Sequence, residues 1–191
     1  MQASNGLVEE SRTVRLMCRV VLVLALSLFT TGCIVVGDDP FESSWGDRAP
    51  LRAGSIRCFH RGVSTVYKLT ETKVGDGNYT YDLENAEGTY GSHNPTTFHK
   101  VDSNKWIMVT HFWVVTLHVI DITDGVASIY WLDPGNFSSL AAYHGLEIDP
   151  SLIPGIAGIS GPRPSVQKFA IDLAKASRGA PIAKAVCKEE E

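Results

Sequence analysis

The chain of 191 residues carries 17 Lys and Arg against 21 Asp and Glu, a formal net charge of −4. That length serves one domain with a real core. A mildly acidic chain without a basic stripe argues against a nucleic-acid surface and against electrostatic docking on anionic lipid.

At the N-terminus, Arg12, Arg15 and Arg19 lead into an uninterrupted apolar run from Val20 to Phe29, followed by Thr30, Thr31, Gly32 and Cys33. As a helix the run is about 15 Å long, half of what a bilayer core requires. Basic, short apolar and small-residue segments in that order mark a secretory signal cleaved before Cys33. The alternative extends the run to Val36 as an uncleaved anchor of marginal length. Met17, directly before Cys18 and Arg19, is a second candidate start beside Met1.

The segment resembles a bacterial lipoprotein signal peptide, in which the box ends in Gly-Cys and the cysteine becomes the acylated first residue. Thr30 stands where that pattern prefers Leu. The resemblance implies lipid on Cys33 and attachment to a membrane through covalent acyl chains, since the chain has no basic patch to do it. It also implies an address. Asp directly after the acylated cysteine commonly retains a lipoprotein at the inner membrane, whereas here Ile34 follows, and Asp38 and Asp39 come later. The expected location is therefore the outer membrane, facing the periplasm or the cell surface.

Removing residues 1–32 takes away three arginines and two glutamates, leaving the mature chain one unit more negative. Cys18 leaves with the signal and Cys33 carries lipid, so Cys58 and Cys187 remain. An even pair in an exported protein is expected as a disulfide, with two buried thiols as the alternative. Gly37 to Ala53 is rich in Gly, Pro, Ser and charge without periodicity, which reads as a tether unless Phe41 and Trp45 pack back on the domain. The expected organisation is thus a signal peptide at 1–32, a lipidated N-terminus and flexible tether at 33–55, and a single domain at 56–191.

Strands and hairpins follow. Ser64 to Thr72 alternates, with Thr65, Tyr67 and Leu69 on one face. Gly75-Asp76-Gly77-Asn78 is a turn, and 78–83 is the returning strand. A looser connection runs from Asn85 to Pro95, a strand over 96–101, and a turn at Asp102-Ser103-Asn104. The apolar stretch from Lys105 to Ile122 is best read as two strands reversing near Thr110 to Phe112. Asp121 to Gly125 then turns the chain into Val126 to Trp131. Asn136 caps a short helix over Phe137 to His144. Ser165 begins a second helix whose Val166, Phe169, Ala170, Leu173 and Ala174 share one face, with Lys175 and Arg178 near its negative end. The expected fold class is α+β: an antiparallel β-meander of about six strands, a short helix, and a C-terminal amphipathic helix packed on the sheet. This order resembles uncharacterised small proteobacterial lipoproteins, a likeness of pattern over Val63 to Ala176 that implies architecture only.

Chemistry is sparse. His111 and His118 are seven apart, which on one strand puts them on opposite faces. His93 and His99 are interrupted by Pro95, and no HExxH is present, so no metal site or cofactor is expected. Ser160 does not sit in GxSxG, and Asp121 and Asp124 lack the other ligands of a calcium loop. Leu152 to Gly161 places Leu152, Ile153, Ile156 and Ile159 among glycines and a proline. It is either a loop tucked under the last helix or an apolar lip for an envelope protein or ligand. The expected function is a non-catalytic cell-envelope lipoprotein with no catalytic residues. The alternatives are a small hydrolase using His111 or His118 with Asp121 or Asp133, and a carrier of a lipid-like ligand.

Overall fold

Alternation of apolar and polar side chains carries the chain through strand after strand in the computed structural model, which describes residues 33–41, 46–75, 77–86, 94–111, 114–130, 134–153, 156–176 and 183–190. The elements are β1 Cys33–Val36, β2 Gly54–His60, β3 Val63–Lys73, β4 Tyr79–Asn85, β5 Asn94–Lys100, β6 Lys105–His111, β7 Val115–Thr123, β8 Val126–Tyr130, α1 Pro134–Tyr143, β9 Glu147–Ile153, β10 Ile156–Ser160, α2 Arg163–Ala176 and β11 Ala183–Glu189.

Strands β2 to β8 run up and down, each antiparallel to the next. The last strand, β11, inserts between β8 and β2 and is antiparallel to both, so eight strands close into a barrel. Three further strands branch from it. The N-terminal half of β7 pairs with β1 (Ile34 opposite Leu117), β1 runs parallel to β10, and β10 pairs with β9 at the edge.

This overturns the expected α+β six-strand meander. The described residues are mostly β, an eight-strand closed antiparallel barrel plus three extra strands, with two short helices. Strands β3 to β8 lie close to where the alternation and turn residues put them. What local reading missed is closure, because β2 and β11 are joined across almost the whole chain and neither announces itself. β2 follows a Gly- and Pro-rich stretch, and its turn into β3 uses Arg61 at φ 46° beside Gly62 at φ 82°, a mirror-image hairpin turn normally signalled by Asn or Asp. Asp124 at φ 50° and Gly125 at φ 73° make the same turn between β7 and β8 with the expected residues. β11 (AKAVCKE) is built largely from Ala and Lys, which strands disfavour.

The barrel wall has two faces. Inward, Ile56, Leu69, Tyr81, Phe98, Trp106, Ile120 and Ile122 fill the interior, with Tyr81 and Phe98 edge to face at 5.0 Å. Outward, the β6–β7 side is covered by the helices. Ile107, Val109, Leu117 and Val119 of β6 and β7 meet α1 and α2. The spacing of Val166, Phe169, Ala170, Leu173 and Ala174 buries one face of α2 as expected, and Phe169 is fully buried edge-on to Phe137. Burial of a side chain of that size stabilises by about 1.5–3 kcal/mol.

The stretch read as a tether is packed. Ile34 and Val36 are core residues, and Phe41 is buried. Residues 46–53 lie across one mouth of the barrel, where the Gly46 carbonyl accepts from the Tyr79 N–H, the Asp47 N–H donates to the Phe98 carbonyl, and Ala49 and Leu51 join the interior core. Composition without periodicity identified an irregular segment correctly but not its anchoring. Two small apolar side chains, Ala49 and Leu51, close the barrel end.

Candidate functional site

A set of titratable side chains lies on the outer wall at β5 and β6, under the segment that follows β1. Asp39 is held in a tight turn by accepting the Phe41 N–H on Oδ1 at 2.8 Å. Its Oδ2 lies 2.9 Å from Nε2 of His111 at the end of β6. Phe41 then stacks on His99 of β5, with ring centroids 4.1 Å apart and planes 19° from parallel. His99 Nε2 lies 2.9 Å from Thr97 Oγ1. Burial drives the His99 pKa down to about 4 against the opposing pull of Asp39 and Asp47, so the ring is neutral at pH 7.

Chemically, a carboxylate orienting a histidine is half of an acid–base device. The other half is a nucleophile or substrate within reach of the ring. The hydroxyl paired with His99 is Thr97, which is 1% exposed, and His99 is itself buried. These groups are engaged in fastening the segment at 37–41 to the barrel wall. Among the described residues no group of three or more His, Cys, Asp or Glu side chains is placed to hold a metal.

The sequence-derived candidates are dispersed by the fold. His111 and His118 lie on separate strands of one hairpin, β6 and β7, and alternation sends His118 to the interior side opposite Met108 while His111 faces outward. His111 is bound by Asp39. Asp121 is bound by Lys105 at 2.8 Å and accepts from the Tyr130 hydroxyl, whose pKa burial and that carboxylate push up to about 12. Asp133 and His93 lie outside the described residues. The partner of His111, Asp39, is 72 residues away in sequence, and no local signal joins them. Ser160 is exposed at the end of β10, and Asp124 is a turn residue.

Cys58 and Cys187 form a disulfide, directly opposite each other on β2 and β11 with Cα atoms 3.9 Å apart. Both were expected outside the regular elements; both are in strands, and the bond crosses the barrel seam toward the interior. The stretch from Leu152 to Gly161, expected as a loop, is the end of β9 and all of β10. Ile159 is 2% exposed and belongs to the core, so it forms no lip, and the side chains of Leu152, Ile153 and Ile156 lie outside the described ones. The barrel interior is occupied by aromatic and aliphatic side chains. A void of about 10 Å³ lies outside it, lined by residues of β1, β6, β7 and α2. That space suits about one water.

Comparison with protein-family models, with curated proteins and with solved structures finds no match.

Proposed function

We propose that this chain is an acylated cell-envelope module, anchored through Cys33 in the outer membrane, whose barrel binds another envelope component rather than transforming a substrate. The observation that carries the reading is the sequence order of three arginines, a short apolar run and Thr-Thr-Gly-Cys, with Ile34 rather than Asp following the cysteine. Two features support it. Its one cysteine pair is oxidised, as suits an exported protein. The His99 and His111 rings are committed to stacking and ion pairing that fasten residues 37–41 in place.

Intact mass of the protein extracted from membranes tests the anchor, with the expected result a mass for residues 33–191 carrying acyl chains. Cys33→Ala should release the protein from the membrane fraction; equally firm retention refutes the reading. Separation of inner from outer membranes tests the address. Ile34→Asp is the wrong probe for it, because Ile34 is 1% exposed between β7 and β10 and a carboxylate there would unfold the sheet extension.

A further inference from the structure

We infer that residues 37–41 form an acid-released strap, a clasp on the outer barrel wall that opens locally as the pH falls from 7 to 4.5 while the barrel stays folded. The inference is independent of acylation at Cys33.

The strap is fastened by side chains. Among the described residues no backbone hydrogen bond joins 37–41 to the wall. Gly37 and Asp38 are exposed, whereas Pro40 and Phe41 are buried. Asp39 grips His111 of β6, and the Phe41 ring lies on His99 of β5. The chain on either side is held through its backbone instead. β1 is paired with both β7 and β10, the Gly46 carbonyl accepts from the Tyr79 N–H, and the Asp47 N–H donates to the Phe98 carbonyl. A stretch pinned by side chains between two backbone-anchored ends is the part that opens first.

The two histidines under the strap respond differently to acid. The His111 side chain is 22% exposed, and its Nε2 can donate to the Asp39 carboxylate whether the ring is neutral or charged. That contact survives protonation. His99 is enclosed, with the Phe41 ring stacked on it, Thr97 bonded to its Nε2, and Ile107 opposite it on β6. The charged groups acting on the ring are the carboxylates of Asp39 and Asp47. Lys100, its neighbour on β5, is exposed and gives its N–H to Asp47. Burial outweighs both carboxylates and holds the ring neutral down to about pH 4.

Lifting Phe41 brings the ring into water, where a histidine takes up its proton at about pH 6.5. The open form therefore binds a proton that the closed form refuses, so acid favours opening. Between pH 7 and pH 4.5 the ratio of open to closed forms rises on the order of 50-fold. An aliphatic side chain under Phe41 would hold the clasp at every pH. The imidazole makes it conditional on charge.

The test is hydrogen–deuterium exchange of the full chain at pH 7 and pH 4.5, read by mass spectrometry on peptides covering 37–41 and, as reference, β6 and β7. Intrinsic rates come from the same peptides free in solution. Protection of the strap should fall on the order of 50-fold in acid relative to β6 and β7. His99→Gln keeps a polar partner for Thr97 without titrating, and should reduce that fall to less than about 3-fold. An equal fall in His99→Gln overturns the inference. So does a strap as well protected at pH 4.5 as at pH 7, or loss of protection in β6 and β7 together with the strap. Near-UV circular dichroism checks that the variant is folded. Should it not fold, the His99 ring of the parent chain is titrated by NMR instead: a midpoint well below that of a free histidine is expected, and the midpoint of a free histidine overturns the inference.

Discussion

Replacing both members of the seam disulfide, Cys58→Ala with Cys187→Ala, isolates the contribution of barrel closure. The bond spans a sequence separation of 129 residues, and the chain-entropy relation for a loop of that size gives about 5 kcal/mol of stabilisation, acting by restricting the unfolded chain. Native disulfides measured by removal contribute about 2–5 kcal/mol, the shortfall coming from residual order in the unfolded state. Cys187 is buried at 5% exposure, so truncation adds a small cavity of the same sign, about 1 kcal/mol. The double variant should therefore lose about 3–5 kcal/mol, or roughly 8–16 °C in Tm at this chain length. The β2–β11 hydrogen bonds remain, so near-UV circular dichroism of the folded variant should match the parent. Urea titration followed by tryptophan fluorescence is the assay, and the urea dependence should steepen because the unfolded variant expands further. Coincident midpoints for the variant and the oxidised parent would refute the reasoning, as would native Cys58 and Cys187 that alkylate freely.

Gly46→Ala should destabilise by about 1–3 kcal/mol, because a Cβ there would come 2.4 Å from the Tyr79 carbonyl oxygen in the segment that closes the barrel mouth; thermal melts of the two proteins check it, and an unchanged Tm would mean that this mouth is loosely closed. His99 supplies a pH dependence. Burial holds its folded-state pKa at about 4, below the ordinary 6.5, so the unfolded chain binds the proton first, and the stability present above pH 6.5 is lost progressively down to about pH 4, by up to about 3 kcal/mol. His99→Gln should flatten that part of the stability profile measured by urea titration at pH 7 and pH 4.5; equal losses in both proteins would contradict the burial argument.

How far the sequence could be read depended on the range of the interaction. Asp124-Gly125 carries its positive φ angles in its residue types, and the α2 face is written in the spacing from Val166 to Ala174, so both were legible. Arg61-Gly62 makes the same kind of turn with a residue that rarely adopts it, so β2 was not expected as a strand and the first one was placed at Ser64. β9 was obscured by Pro150, which an edge strand tolerates and a central strand does not. The pairing of Cys58 with Cys187 followed from counting, but its position across a seam did not, because closure is a relation between ends of the chain. The attachment of His111 to Asp39 is of the same kind, and one of the two expected partners, Asp121, was nearer in sequence yet is held by Lys105 and Tyr130.

The place of β11 in the barrel has a consequence for the order of events during synthesis. Seven of the eight barrel strands can pair as they emerge, each with its predecessor, but β8 and β2 keep unsatisfied edges until residues 183–189 arrive after both helices. Through that interval the nascent sheet is open on two sides and able to pair with a neighbouring chain. Folding should be slow for a domain of this size, limited by a final long-range insertion. In the interval Cys58 lacks its partner, which makes oxidation of the pair a chemical record that the last strand has docked.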